Sequence, residues 1–137
     1  MRSEITTMLA LLGLGLLGAV ASAPAVARDV YVIAHPGVML TQAELKDVYM
    51  GEKQFSGSLK LSPVDNSAAQ GDFLNKAINL EAKKYAALWA KKSFRSGLAA
   101  PAVKSGDAEV ISFVKNTPGA IGYVSAPVQG LKELYKY

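Results

Sequence analysis

The chain has 137 residues, half of them hydrophobic, with 15 basic and 11 acidic side chains, one histidine and no cysteine. Without cysteine there is no disulfide framework, no thiol nucleophile and no cysteine-ligated zinc, and a single histidine leaves no His cluster for a metal and no supported Ser-His-Asp triad. The net charge of +4 favours anions in general, but no basic block with interleaved aromatics marks a nucleic-acid surface.

Arg2 precedes an uncharged apolar run, MLALLGLGLLGAVA at 8–21, which leads into two A-x-A sites at 21–23 and 25–27. This pattern reads as a secretory signal peptide over 1–27, cleaved on export. Cutting at the first site would leave Pro24 next to the scissile bond, so cleavage after Ala27 is expected. The apolar run is shorter than the roughly 20 residues of a spanning helix. Removing 27 residues from 137 leaves 110, one small domain over 28–137. Arg2 and Glu4 leave together, so the balance stays at +4.

DVYVIAH at 29–35 is rich in β-branched and aromatic residues and scarcely alternates, which predicts a strand buried on both faces. His35 then reads as a strand-to-loop residue before Pro36-Gly37. In LTQAELKDVYMG at 40–51, Thr41 and Glu44 have capping-box spacing, Leu45, Val48 and Tyr49 share a face, and Gly51 suits the position after the helix. Ser56-Gly57-Ser58 predicts a turn, followed by a strand through Leu59, Leu61 and Val64. A second helix is expected from Ser67, boxed with Gln70, with Phe73, Leu74, Ala77 and Ile78 apolar and Gly71 available for a close helix contact.

EAKKYAALWAKKSF at 81–94 predicts an amphipathic helix. Tyr85, Leu88 and Trp89 face inward, and Lys83, Lys84, Lys91 and Lys92 face water. RSGLAAPAV reads as a loop, GDAEVISFVKN as a helix capped by Ser105, and AIGYVSA at 120–126 as a strand. The tail VQGLKELYKY is balanced between a strand and a frayed helix. Strands alternating with helices define an α/β class with parallel strand pairs.

Three segments, LTQAELKDVYMGE, SPVDNSAAQGDF and NTPGAIGYV, occur in an order and spacing that resembles the phosphate-type periplasmic substrate-binding proteins of ABC transporters, in particular short single-domain relatives. The resemblance implies a single lobe of the type II periplasmic-binding-protein fold, a mixed and mostly parallel sheet flanked by helices. It also implies a location in the periplasm, a small oxyanion such as phosphate as ligand, and a membrane transporter or sensor as partner. No cofactor is expected, and with no Cys, one His and no paired-carboxylate motif nothing supplies a general base with an orienting partner, so no enzymatic activity is expected.

Carried over residue by residue, the resemblance nominates Asp65 and Ser67. The family's loop usually has Arg two residues before the Asp and Gly-Thr after the Ser; here Pro63, Ala68 and Ala69 stand in those places. The remaining ligands would be the residues of the loop Asp65, Asn66, Ser67, Ala68, Ala69 and Gln70, with N–H groups of 67–70 and the Ser67 hydroxyl facing an anion at the positive end of a helix. Asp65 would accept the proton of a hydrogen phosphate. Arg95 is the candidate for the missing counter-charge. The competing role for Ser67 is a structural helix cap.

A full-length member closes two lobes on its ligand, so one lobe implies weak binding unless two copies face each other as a homodimer. The alternative function is a periplasmic protein-interaction module with its solute site decayed. Its expected surface is an apolar patch around Tyr123, Leu131, Leu134, Tyr135 and Tyr137.

Overall fold

A computed structural model describes residues 28–137. The expected signal peptide over 1–27 lies outside the described residues.

The first strand, β1 (Tyr31–Ala34), is buried on both sides, as its unbroken apolar sequence requires. Val32 and Ala34 turn into one core and Ile33 into another. Helix α1 (Gln42–Tyr49) begins at a capping box: Glu44 N donates to Thr41 Oγ1 at 3.1 Å, and Thr41 N to Glu44 Oε1 at 3.0 Å. Two otherwise orphaned donors are satisfied at once. Leu45, Val48 and Tyr49 are buried, as their shared face predicts. Gly51 follows with φ +77, and a Cβ there would meet the Trp89 indole at 2.7 Å, so glycine serves both the turn and the packing.

The strand expected from Leu59 to Val64 is divided. β2 (Phe55–Ser56) and β3 (Leu59–Lys60) form a small hairpin through Gly57. β4 (Ser62–Asn66) enters the main sheet. Pro63 is tolerated there because neighbouring β5 (Ala102–Lys104) starts pairing only at Val64, so the missing N–H interrupts no ladder bond on that side.

After β4 the chain makes α2 (Gln70–Phe73), which continues as a π-helical segment over Leu74–Ile78 and ends at Asn79 in a left-handed conformation. Phe73, Leu74 and Ile78 are buried. Gly71 faces open space and supports no helix contact, contrary to expectation. Helix α3 (Ala82–Ser96) runs farther than expected, to a left-handed Gly97. β5 occupies part of the segment expected to be a loop. Helix α4 (Asp107–Asn116) has Gly106 at its N-cap; Ser105 does not cap it through its side chain. Instead Glu109 accepts the Ser105 N–H at 3.1 Å. β6 (Ala120–Val124) is wholly buried, and the ambiguous tail is a strand, β7 (Lys132–Lys136).

The five main strands order as β5-β4-β6-β1-β7. β4 is parallel to β5 and β6, whereas β1 is antiparallel to β6 and β7. Four strands therefore share a direction and β1 alone is reversed, which makes the sheet mixed and mostly parallel. One face packs with residues of α1, α2, the π segment and α3 around Tyr49, Phe73 and Tyr123. The other packs with α4 through Ile33, Val64, Val110, Val114 and Val124. Gly122 allows the second approach, since a Cβ there would stand 2.5 Å from Val110 Cγ1.

Candidate functional site

The loop after β4 begins with two fully buried polar side chains. Asp65 is 1% exposed and Asn66 0%. They point to opposite faces of the sheet because adjacent strand residues alternate.

Asp65 enters the larger core. Tyr123, from β6, donates to its Oδ1 at 2.7 Å, and Tyr85, from α3, donates to its Oδ2 at 2.8 Å. Burial pushes the Asp65 carboxyl above its usual range; the two tyrosine hydroxyls and the Gln70 side chain act in the opposite direction. The same burial, with the Asp65 charge beside them, pushes both tyrosine hydroxyls far up, so they remain donors. Tyr49, also in this core, gives its hydroxyl to Val64 O at 2.8 Å and receives Trp89 Nε1 on its carbonyl at 3.0 Å. The Phe73 ring lies 4.0 Å from that of Tyr123 and 4.7 Å from that of Tyr49, centre to centre.

Asn66 turns toward α4. Its Nδ2 donates to Asp107 Oδ1 at 2.8 Å and to Tyr123 O at 2.9 Å. Asp107 Oδ2 in turn accepts from the Ser125 amide at 3.0 Å and the Ser125 hydroxyl at 2.7 Å. The Asn66 Oδ1 accepts the Ala68 N–H at 3.0 Å, closing a short side-chain turn. The ends of β4 and β6 and the start of α4 are thereby tied together.

The expected cap at Ser67 is not formed. Ala69 holds the N-cap position of α2, with no side-chain cap bond, and the helix starts only at Gln70. The cause lies in β5, absent from the sequence reading: Lys104 O takes the Ser67 N–H at 3.0 Å and draws Ser67 into line with the sheet. Ala69 N donates to Asn66 O at 3.0 Å. Three of the four amides nominated to face an anion, those of Ser67, Ala68 and Ala69, are therefore used inside the chain. Ser67 and Ala68 are exposed, Ala69 is buried and Gln70 is half-buried. The Ser67 hydroxyl stands free of a cap, and the first-turn amides of Gln70, Gly71 and Asp72 have no intrahelical acceptor.

Arg95 lies in the last turn of α3, not in a loop. It lines a groove with Glu52, Lys84, Leu88 and Lys91, to which no residue of 65–70 contributes. Among the described residues, no group of three or more His, Asp and Glu side chains is placed to hold a metal ion. The expected apolar patch is also not present as such: Tyr123 is fully buried, and Leu134, Tyr135 and Tyr137 are half-buried against the core.

Tyr85 and Tyr123 were absent from the nominated site. Their signal was available in part, since a tyrosine on a buried helix face or strand needs a partner for its hydroxyl, but nothing local identifies Asp65 as that partner.

No protein-family model matches the chain, and no curated protein matches it. Among solved structures it is similar to an ABC-type phosphate transport receptor from Vibrio cholerae, at a TM-score of 0.56 and 16% sequence identity, covering 79% of this chain and 46% of that one. This likeness establishes the class of the fold: the described domain is an α/β lobe of the periplasmic-binding-protein type. The chain spans about half the length of the receptor it matches. Among the described residues, no helix is long and apolar enough to cross a membrane.

Proposed function

We propose that the chain is an exported, solute-binding-type lobe that takes phosphate or a similar small oxyanion weakly in the periplasm. The observation that supports this most directly is the uncapped start of α2, next to the exposed Ser67 hydroxyl. Free first-turn amides and the positive end of a helix attract an anion. In this reading the ligand faces Ser67, Gln70 and Gly71. Asp65, Asn66, Ala68 and Ala69 shape the loop from behind. The lobe lacks a fixed arginine in the loop, and one lobe leaves the anion half in water, so millimolar affinity is expected. Arg95, on a separate groove, serves as a control.

The test is thermal unfolding with phosphate, against sulfate and chloride at matched ionic strength. With a dissociation constant of about 1 mM, about 10 mM phosphate should add roughly 1.4 kcal/mol to stability. Ser67→Asp should abolish that gain and Arg95→Ala should leave it. A midpoint unmoved by phosphate up to tens of millimolar overturns the reading.

A second reading is favoured by the three loop amides and both Asp65 oxygens being used internally. There the lobe is a periplasmic interaction module for a membrane transporter or sensor, its solute site closed. It predicts no phosphate response in the same experiment.

A further inference from the structure

The outer surface of α3 combines three properties that neither the anion loop nor the core explains. The helix carries Lys83, Lys84, Lys91, Lys92 and Arg95 and no acidic residue between Ala82 and Ser96. Among the described residues only Lys92 of these five is within salt-bridge distance of a carboxylate, that of Glu52 at 2.7 Å. Phe94 is 92% exposed, the most exposed of the four large hydrophobic side chains at the surface among the described residues.

With Glu52, the surface of this helix forms a shallow groove of about 500 Å³, lined by Ala87, Leu88, Lys84, Lys91 and Arg95. Lys84, Lys91 and Arg95 are seven and four residues apart, so they form one stripe on the helix, about 10 Å and then about 6 Å along its axis. Exposing cations and a phenylalanine together is not needed for packing, because Tyr85 and Trp89 already anchor the opposite face.

We infer that this face docks an acidic, amphipathic segment of a partner protein. One apolar side chain sits on Ala87 and Leu88, carboxylates meet Lys84, Lys91 and Arg95, and Phe94 packs along the flank. Charge complementarity points to the partner: the stripe is cationic and almost unpaired among the described residues, and an acidic segment would neutralise it. An apolar floor with a charged rim is also the usual layout of an interface. The inference does not rest on the oxyanion reading, and no residue of 67–71 enters its test.

The probe is a synthetic acidic peptide with leucines at i, i+4 helical spacing and glutamates elsewhere, titrated into the purified protein and followed by amide NMR shifts. Its Leu→Ser analogue and vesicles of neutral lipid mixed with phosphatidylglycerol form the other arms. The peptide should shift resonances of Lys84–Ser96, with an affinity that falls as salt rises. The Lys91→Glu/Arg95→Glu variant should weaken it ten-fold or more, Phe94→Ser should weaken it less, and the Leu→Ser analogue should bind more weakly. Both variants change exposed positions, and an unaltered thermal midpoint verifies their fold. No saturable shift on α3 up to millimolar peptide overturns the inference. Tighter binding to vesicles than to peptide, or α3 shifts that depend on protein concentration alone, would also overturn it, assigning the face to lipid or to a second copy.

Discussion

Asp65 shows how one side chain can look like a ligand contact in sequence and work as a keystone in the fold. Its two oxygens hold hydroxyls that come from 20 and 58 residues away, joining β4, α3 and β6. A buried ionised carboxylate is costly, and hydrogen bonds offset part of that cost. The pH dependence follows. Its folded value is raised above 3.8, so the folded state binds the proton more tightly than the unfolded one. The contribution of Asp65 to stability should therefore fall as pH rises from 3.8 through the raised value, and stay at its low level above it. Glu44 and Glu109 are shifted the other way, by bonds to the backbone amides of Thr41 and Ser105, but Glu44 is only half-buried and Glu109 exposed, so solvent keeps their effects small. Urea unfolding between pH 4 and 7 should show the Asp65 component, and Asp65→Asn should remove it. An identical profile in the variant would mean that Asp65 has the same proton affinity folded and unfolded. The sequence marks Asp65 as unusual, standing after an apolar approach and before Asn66-Ser67. It does not reveal the two tyrosines, because their meeting depends on strand order.

At the scale of elements, two segments with the same cap spacing behave differently. Thr41 and Glu44 form their box; Ser67 and Gln70 do not. In the first case nothing competes for the backbone. In the second, β5 claims the Ser67 amide and Asn66 claims that of Ala68. Thr41→Ala should cost about 1 kcal/mol, the usual loss for an N-cap. Ser67→Ala should stay within about 0.5 kcal/mol, as exposed substitutions do. Equal losses in chemical denaturation would show that Ser67 caps a helix after all. The contrast explains which elements could be read in advance. β1, α1, α3 and β6 carry strong local patterns and were recognisable, with ends displaced by a few residues. β5 is three residues long, preceded by two alanines and a proline and followed by Ser105-Gly106, so it exists only through pairing with β4. The division of 59–66 between a hairpin and a sheet strand also depends on which partner each half finds.

For the molecule as a whole, the α/β class is readable because strands alternate with helices, and the helix-flanked mixed sheet is what the family resemblance implies, whereas the reversed direction of β1 has no such signal. A reversed strand needs no local signal; β1 lies between β6 and β7 and pairs antiparallel with both. That position places the beginning and end of the described chain side by side. Val30 N donates to Tyr137 O at 2.9 Å, and Tyr137 N to Val30 O at 2.8 Å. Lys132 Nζ and the Tyr135 hydroxyl add bonds to the carbonyls of Val38 and Leu40. The two ends are therefore already held as neighbours by a reciprocal pair of main-chain bonds. Linking them with a few flexible residues would ask almost nothing of the fold, and new ends could be opened at Gly57, where no atom crowds the hairpin tip. Such a circular permutant should unfold cooperatively with the parent's circular dichroism spectrum; loss of cooperativity would show that β2 and β3 must be continuous for the sheet to assemble. By the same geometry, a fusion at either end would leave from the same corner, so the lobe could be spliced as a cassette into a surface loop of another protein.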